Sequence, residues 1–197
     1  MKKIGILMRS ENGFYQNNCY ISSVLKFGGD ITLIYDSESF ASVSKKLLYL
    51  DGILLTGGDN VGRLDFFLIE YAIKNNLKLL GICQGMQSMA LYGTTDSLIK
   101  IGNSSHSKEE KYAHYVNINN SNFLKLIGKN RILVNSHHLQ TVKRSLYFKV
   151  VGRSDDGFIE VVENSNHIFQ IGVQWHPERM LDYDEISNMI INEFVNS

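Results

Sequence analysis

Residues 81–87 read GICQGMQ, and the apolar run LKLL at 77–80 leads into them. An apolar run that ends at glycine and continues into a helical pattern is typical of a buried strand that turns sharply into a helix, the arrangement called a nucleophile elbow. Cys83 would then lie at the carboxyl edge of a sheet, between two glycines and at the positive end of a helix, which favours the reactive thiolate. The stretch therefore predicts both a strand–helix unit and a nucleophile.

A second interpretation of Cys83 is a small apolar side chain in the core, which is the common state of a free cysteine. Gly81 and Gly85, together with the junction between strand and helix, favour the nucleophile. Cys19 lies in a helical segment and lacks such glycines. We expect Cys19 to pack as an ordinary core residue.

Apolar runs and helical spacing alternate through the first half of the chain. The strand-like runs are KKIGILM at 2–8, DITLIYD at 30–36, GILLTGG at 52–58 and LKLLGIC at 77–83. Helical spacing occupies 20–27, 40–50 and 65–75. Strands that alternate with helices form a mostly parallel sheet with helices on both faces, because each crossover is right-handed.

The pattern changes after residue 95. Strand-like runs separated by short polar turns lead to a closing helix, the strands at 114–118, 131–134, 147–153, 158–163 and 168–175 and the helix at 184–196. We therefore predict an α/β fold with a mostly parallel central sheet flanked by helices, extended by antiparallel strands in the C-terminal half. No linker or repeat interrupts the sequence, so we expect residues 1–197 to form a single domain.

Composition limits the classes of function. Lys plus Arg equals Asp plus Glu at 20 residues each, so net charge indicates neither a nucleic-acid footprint nor a polybasic membrane patch. No apolar window approaches the ~18 residues of a membrane helix, and the N-terminal apolar run is too short for a signal peptide. Two cysteines make neither a disulfide framework nor a zinc cluster. We expect a cytoplasmic protein that acts on a small molecule.

A cysteine nucleophile needs a base, and the base needs a group that orients it. The candidates are His176 and Glu178 in QIGVQWHPERM at 170–180, where they flank Pro177. Residues two apart in an extended segment point to the same side, so the carboxylate can support the imidazole while the imidazole reaches the thiol. A histidine beside a glutamate is more often a surface pair, but its occurrence together with the Cys83 pattern favours catalysis.

Three motifs together resemble the class I glutamine amidotransferase superfamily: LLTGGDN at 54–60, GICQGMQ at 81–87 and GVQWHPE at 172–178. VNSHHLQTV at 134–142 and GRSDDGFIEVVE at 152–163 are more similar to its γ-glutamyl hydrolase branch. That branch is peptidase C26-like and includes the γ-glutamyl-γ-aminobutyrate hydrolase type. The resemblance covers nearly the whole chain and implies the flavodoxin-like architecture of class I glutaminases.

The resemblance implies roles for individual residues. Cys83 is similar to the family nucleophile, His176 to its general base and acid, and Glu178 to the residue that orients the histidine. The oxyanion hole is implied for the backbone N–H groups of Gly58 and Gln84, of which the second directly follows the nucleophile as an elbow requires. The side chain of Gln84 is a further candidate for choosing the substrate.

The resemblance also implies a substrate pocket. Gln87 matches a glutamine that contacts the glutamyl portion of the substrate, and Ser136 and His138 match a segment around the glutamyl α-carboxylate and amino group. Helix-surface and turn hydrogen bonding are the alternative roles for these three side chains. His106 and His114 fall near family histidines, and we expect them to support the fold.

The implied reaction is hydrolysis of a linear amide C–N bond. The Cys83 thiolate attacks the γ-carbonyl of a γ-glutamyl amide, His176 protonates the leaving nitrogen, and water then hydrolyses the γ-glutamyl thioester. Glutamate and an amine or amidate are released. The resemblance implies neither a metal nor an organic cofactor.

One departure from the family pattern bears on the substrate. Family members carry a longer insertion before an arginine–aspartate motif that appears loosely as Arg63, Asp65 and Glu70, whereas only DNVG at 59–62 precedes Arg63. A short loop leaves the leaving-group side of the pocket open. A bulky γ-glutamyl conjugate, including a nucleotide-activated one such as a CDP-linked glutamine, is therefore a hypothesis beside a small amide.

Alternative functions stay open on the sequence alone. The chain could be a glutaminase subunit that delivers ammonia from glutamine to a partner synthase, or a non-catalytic binding module on the same fold. The complete Cys83, His176 and Glu178 set argues against the binding module. Action on poly-γ-glutamyl chains lacks a supporting basic patch, and a homodimer is compatible with the sequence.

Replacing Cys83 by alanine or serine is expected to abolish turnover, because the nucleophile is lost, while the fold stays intact. Glutamate release by the purified variant, measured beside its circular dichroism spectrum, checks this. Retained glutamate release in folded Cys83→Ala protein would refute the assignment of the nucleophile.

Overall fold

The computed structural model describes residues 1–11, 14–15, 18–102 and 106–197. The strands are β1 Lys3–Met8, β2 Ser10–Glu11, β3 Phe14–Tyr15, β4 Asp30–Tyr35, β5 Gly52–Leu55, β6 Lys78–Ile82, β7 Ile99–Lys100, β8 Ser107–Lys108, β9 His114–Ile118, β10 Arg131–Val134, β11 Ser136–His137, β12 Gln140–Thr141, β13 Lys149–Ser154, β14 Ile159–Glu163 and β15 Gln170–Val173. The helices are α1 Asn18–Lys26, α2 Phe40–Leu47, α3 Arg63–Lys74, α4 Gln84–Leu91, α5 Asn122–Ile127 and α6 Glu185–Asn196, with a 3₁₀ turn at Pro177–Arg179.

A nine-stranded sheet, in the order β10-β9-β13-β14-β15-β6-β5-β1-β4, forms the centre of the fold. The strands from β15 to β4 pair in parallel, and β14, β13, β9 and β10 extend the sheet with antiparallel pairs. This confirms the predicted α/β class, with parallel strands in the centre and antiparallel strands from the C-terminal half.

The direction of β15 decides where the active-site motifs meet. β15 comes from the C-terminal half of the chain but pairs in parallel with β6, with Val173 beside Ile82. β6 in turn pairs in parallel with β5, with Gly81 beside Leu55. The carboxyl ends of three adjacent strands therefore lie at one edge of the sheet, which is where ligands bind in open α/β sheets. An antiparallel β15 would carry His176 to the opposite edge.

Two apolar clusters cover the faces of the sheet. One packs α1, α5 and α6, with Val24, Ile127 and Ile190 among its buried members. The other packs α2, α3 and α4, with Leu68 and Met86 among its members. Both faces of the sheet are therefore covered by helices, as the alternation of strands and helices predicted.

Helix α5 was not predicted from the sequence, although both of its ends carry recognisable signals. Ser121 caps its first turn through a bond from Leu124 N to Oγ, and Gly128 ends it with a φ of 68°. The short length of α5, six residues, gives too little periodicity to be recognised.

A buried ion pair joins the loops around the carboxyl edge. Arg9, which follows β1, donates from Nη1 and Nη2 to Asp65 in the first turn of α3, at 3.1 and 2.5 Å. Arg9 Nε also donates to the carbonyl of Thr56 after β5, at 3.2 Å. Ser88 Oγ on α4 donates to Asp65 Oδ1 at 2.7 Å. Four segments are thus held together by one charged pair.

Two residues of the loosely matched motif, Asp65 and Glu70, form ion pairs with residues outside the motif. The arginine that pairs with Asp65 is Arg9, from a distant part of the chain. Glu70 instead forms an exposed pair with Lys74, one helical turn away. The motif therefore supplies the aspartate of a buried ion pair, and the arginine of that pair comes from outside the motif.

Each helix among the described residues is too short or too polar to span a lipid bilayer.

Replacing Asp65 by asparagine is expected to lower the free energy of unfolding by about 3–5 kcal/mol, because the substitution leaves the Arg9 charge buried and unpaired. The urea midpoint of the variant measures this loss. Glu70→Gln, which breaks the exposed pair with Lys74, is the control and is expected to unfold at the wild-type midpoint. Equal midpoints for the two variants would contradict the bracing role of the buried pair.

Candidate active site

Cys83 occupies a strained turn between β6 and α4. Its φ of 53° and ψ of −107° lie in a region that L-amino acids avoid, and Asn76 is the other non-glycine residue with positive φ among those described. Such strain costs of order 1–3 kcal/mol and persists where the surroundings enforce it. The N–H of Cys83 donates to Val173 O on β15 at 2.9 Å, and its carbonyl accepts from Gln87 N at 3.1 Å. The hydrogen bond to β15 and the first hydrogen bond of α4 together hold the thiol at the carboxyl edge of the sheet.

The glycines on either side of Cys83 act by close packing. A Cβ on Gly85 would lie 2.2 Å from Leu55 O, and a Cβ on Gly81 would lie 2.7 Å from the backbone of Gly85. Neither contact tolerates a side chain, so α4 can approach β5 and β6 this closely only with glycine at both positions. The sequence correctly indicated a sharp turn, but the positive φ belongs to Cys83 itself.

The thiol faces a cavity of about 620 Å³, a volume typical of small-molecule sites. Its walls come from the turn after β5, the start of α4, the segment around β7 and β8, and residues 137–140. The lining residues are Gly58, Asp59, Asn60, Cys83, Gln87, Lys100, Ile101, Ser107, His137, His138, Leu139 and Gln140. Three predicted site residues, Gly58, Gln87 and His138, thus share this cavity with Cys83.

His176 and Glu178 form a buried pair beside the thiol. His176 Nδ1 lies 2.7 Å from Glu178 Oε1, so the Nδ1–H donates to the carboxylate and Nε2 is left for the thiol. Burial alone would lower the pKa of His176, but the charge of Glu178 and the charge and hydrogen bond of Cys83 raise it, to about 9. The imidazole is therefore protonated at neutral pH, and an imidazolium in contact with a thiol stabilises the thiolate.

Asn135 fixes the position of His176. Its side-chain oxygen accepts from His176 N at 2.9 Å, and its side-chain nitrogen donates to His176 O at 3.0 Å. The N–H and the carbonyl of one residue are thus both satisfied by one amide. The sequence placed Asn135 in a family motif without a role, and its pairing with His176 depends on a contact that spacing does not reveal.

Tyr20 is a second supporting residue that sequence reasoning missed, since it looked like an apolar position on α1. Its hydroxyl accepts from Gly57 N at 3.0 Å and lies 3.5 Å from His176 Nδ1. Burial, followed by the charges of Glu178 and Cys83, raises the pKa of Tyr20 well above its usual value, so the phenol stays neutral. Tyr20 therefore connects the turn after β5 to the histidine.

The two predicted oxyanion donors belong to the segments that follow β5 and β6. Gly58 belongs to the turn after β5, and Gln84 N begins α4 directly after Cys83. The Gln84 side chain is fully buried and donates to Asn60 O. The side chain therefore holds the loop after β5 and is not part of the cavity lining. A Cβ on Gly58 would lie 2.5 Å from Gln84 Oε1, so this close contact needs glycine.

Gln87 and Gln174 form a short chain of amides that ends at the sulfur. Gln87 Nε2 donates to Gln140 O at 2.8 Å and to Gln174 Oε1 at 3.1 Å. Gln174 Nε2 in turn lies 3.6 Å from Cys83 Sγ, within range of an N–H···S hydrogen bond. Gln174 was not among the predicted site residues, although it precedes His176 by two positions in the same motif.

Of the two predicted pocket residues Ser136 and His138, only His138 lines the cavity. Ser136 is fully buried and donates to His106 O at 2.8 Å. His138 lines the cavity, while its Nδ1 lies 2.9 Å from Gln140 O and its Nε2 lies 3.2 Å from His106 Nδ1. The Ser136 hydroxyl thus has a structural bond, and His138 links the cavity to a histidine cluster behind it.

Similarities to known proteins agree with this geometry. The Peptidase C26 family model matches residues 62–178. The chain is 27% identical to the γ-glutamyl-γ-aminobutyrate hydrolase PuuD of Escherichia coli, covering 90% of this chain and 84% of that protein. It is 29% identical to a Schizosaccharomyces pombe protein named as a glutamine amidotransferase, covering 93% and 83%. The glutaminase domain of the Trypanosoma brucei CTP synthase has a similar fold, with a TM-score of 0.76, 17% identity and coverage of 100% and 95%.

Replacing Glu178 by glutamine is expected to move the alkaline limit of activity to lower pH. His176 must be protonated to give a proton to the leaving group. The pKa of His176, about 9, depends on the charge of Glu178. In the variant His176 therefore loses its proton at a lower pH. The pH dependence of kcat/KM measures this alkaline limit. Where turnover is too slow, the pH dependence of Cys83 alkylation measures it instead. Glu185→Gln, at an exposed position on α6, is the control, and an identical limit in both variants would contradict this role of Glu178.

Proposed function

This chain belongs to the Peptidase C26 family, and we propose that it hydrolyses the γ-glutamyl amide bond of a γ-glutamyl conjugate, releasing glutamate and an amine or amidate. The observation that carries the proposal is the Cys83 thiol in the cavity wall, in contact with a buried His176 whose Nδ1 is held by Glu178. A nucleophile, a base and an orienting carboxylate are the parts that covalent amide hydrolysis requires.

In the first step the Cys83 thiolate attacks the γ-carbonyl carbon, and the carbonyl oxygen becomes an oxyanion. The backbone N–H groups of Gly58 and Gln84 stabilise that charge, an effect worth several kcal/mol when donors are pre-positioned. His176 then gives its proton to the leaving nitrogen as the C–N bond breaks. A γ-glutamyl thioester on Cys83 and a free amine or amidate result.

In the second step water replaces the leaving group. His176, now neutral, takes a proton from the water as its oxygen attacks the thioester carbonyl. The C–S bond breaks, glutamate leaves, and the proton on His176 restores the imidazolium–thiolate pair. Glu178 stabilises the imidazolium in both steps without accepting the proton itself.

Charged residues in the cavity suit the glutamyl head group. Its α-carboxylate needs a cation and its α-ammonium needs an anion, and Lys100 and Asp59 supply one of each in the lining. Gln87, held between Gln140 and Gln174, supplies an amide close to the sulfur. These groups support selection of a γ-glutamyl acyl group over a simple acyl chain.

The leaving group is the less constrained half of the substrate. The loop that runs from Gly58 to α3 holds only residues 59–62, and a cavity of about 620 Å³ exceeds what a glutamyl group fills. Both observations favour a conjugate with a bulky leaving group, including a nucleotide-activated γ-glutamyl amidate, over the smallest amides.

A glutaminase that supplies ammonia to a partner is the second candidate. It draws support from a CTP synthase of Microcystis aeruginosa, which is 29% identical over 70% of this chain. That alignment covers only 32% of the CTP synthase, so the likeness is to one part of a larger enzyme. Stand-alone hydrolysis remains favoured by the likeness to the γ-glutamyl-γ-aminobutyrate hydrolase of Escherichia coli, which aligns over most of both chains.

Glutamate release from a panel of γ-glutamyl compounds tests the proposal. The panel contains glutamine, a γ-glutamyl alkylamide, a γ-glutamyl dipeptide and a nucleotide-linked γ-glutamyl amidate. We expect kcat/KM for the best conjugate to exceed that for glutamine by about tenfold or more, without any added protein, because leaving-group contacts contribute to transition-state binding. The Cys83→Ala protein is the control for contaminating activity.

Each outcome of the panel separates the candidates. Glutamine as the preferred substrate, with a rate that rises only on addition of a synthase, would contradict the stand-alone hydrolase. A preference for the smallest amides would retain the hydrolase but contradict the open leaving-group side.

A further inference from the structure

Three histidines and a glutamate meet behind the cavity wall, away from the catalytic residues. His106 directly precedes β8, His114 begins β9, His138 lies between β11 and β12, and Glu160 belongs to β14. Glu160 is fully buried, and His106 and His138 are buried with 1% and 5% exposure. A carboxylate removed from water in this way needs a compensating charge.

The four side chains converge on a small space. Glu160 Oε1 lies 3.3 Å from His114 Nε2, 3.7 Å from His106 Nδ1 and 3.7 Å from His138 Nε2. His106 Nδ1 and His138 Nε2 are 3.2 Å apart. The donor atoms of His106, His114 and Glu160 all lie within 4.8 Å of one another. Ligands on a tetrahedral zinc ion are about 3.3 Å apart, given bonds of about 2.0–2.1 Å.

Hydrogen bonds on the outside of the cluster orient two of the rings. His106 Nε2 lies 2.9 Å from Asp156 Oδ2, and Asp156 is held in turn by Ser154 Oγ at 2.6 Å. His138 Nδ1 lies 2.9 Å from Gln140 O. An acceptor at each outer nitrogen places the ring proton there, so in the neutral rings the inner nitrogens carry lone pairs. A histidine whose outer N–H binds a carboxylate or a carbonyl is the usual arrangement around protein-bound metals.

When both rings are neutral, the inner nitrogens of His106 and His138 are therefore acceptors. Two imidazole lone pairs face each other across 3.2 Å, and the carboxylate lies beside them. Within the described residues, both oxygens of Glu160 and both ring nitrogens of His114 lack a hydrogen-bond partner of proper geometry. Acceptors that converge without a donor repel one another unless a cation lies between them.

We propose that His106, His114 and Glu160 bind a divalent transition-metal ion of the zinc class, with His138 as the nearest fourth donor. Three imidazole nitrogens and one carboxylate favour zinc over magnesium or calcium, which prefer oxygen ligands. The ion would join β9 and β14 to the segments that carry His106 and His138. Its role is structural, because it holds the cavity wall at residues 137–140 and does not contact the sulfur.

The proposal changes what the sequence led us to expect of these residues. His106 and His114 were expected to support the fold, and no metal was implied. The ligands come from four separate segments, so no pair has the short spacing that marks a zinc motif in a sequence. The proposal is independent of the reaction assigned to Cys83.

Metal content and binding of the full-length protein test the site. Wild-type protein is stripped with a chelator, titrated with ZnCl₂ against a chromophoric competitor, and analysed by elemental mass spectrometry after dialysis. We expect about one zinc ion per chain and a melting temperature that rises with zinc. Glu160→Gln and His114→Gln should each weaken binding by about 100-fold or more, and Asp156→Asn by about 10–100-fold, as expected for an outer partner.

Two controls separate this site from other zinc ligands. His167→Asn changes a histidine that contacts Asn76 outside the cluster and should leave binding unchanged. Cobalt(II) bound to the wild type should show tetrahedral d–d bands without a thiolate charge-transfer band, since the ligands are nitrogen and oxygen. Cys83→Ala should retain the ion.

Wild-type protein that binds no zinc above background and shows no thermal shift would overturn the proposal. This test uses only the wild-type protein, so it does not depend on whether any variant folds. Zinc that is lost in Cys83→Ala but retained in folded Glu160→Gln would also overturn it, because the ion would then belong to the catalytic thiol.

Discussion

The backbone of Cys83 is the constraint on which the active site depends. A positive φ at a non-glycine residue is unfavourable, and packing enforces it here, because Gly81 and Gly85 allow α4 to lie directly against β5 and β6. The ladder bond from Cys83 N to Val173 O fixes the same turn from the side of β15. The strain places the thiol at the start of a helix and at the wall of a cavity, where a nucleophile can reach a substrate.

The remaining active-site groups reach the thiol because three neighbouring strands run in parallel. The Gly58 turn follows β5, Cys83 follows β6, and His176 follows β15, so all three lie at the same edge of the sheet. A buried Arg9–Asp65 pair then holds the loops beyond those strands. The charge of Glu178 keeps the histidine protonated against the cost of burial, so the electrostatics of the site depend on the same sheet edge that defines its geometry.

Much of this arrangement could be predicted from the sequence, but the supporting contacts could not. Periodicity revealed the alternating strands and helices. Flanking glycines singled out Cys83, and the position after a strong strand, with Glu178 two residues on, singled out His176. The partners of these residues depend on tertiary contacts. Tyr20 looked like an apolar helix position, and the arginine nearest in sequence to Asp65 was not its partner. Helix α5 was too short to show a period. The spacing of residues in the sequence predicts local structure well, but it does not identify side chains that are distant in sequence and in contact in the fold.

Labelling with an electrophilic glutamine analogue, one that carries its reactive carbon at the γ-position, tests whether Cys83 is the nucleophile and His176 its activating base. Mass mapping of the labelled protein reports which atom attacks that carbon, without requiring the natural substrate. We expect a single adduct on Cys83, formed much faster than with a general alkylating reagent and greatly slowed by His176→Ala. An adduct on another residue such as Cys19, or labelling of Cys83 that is indifferent to His176, would contradict it.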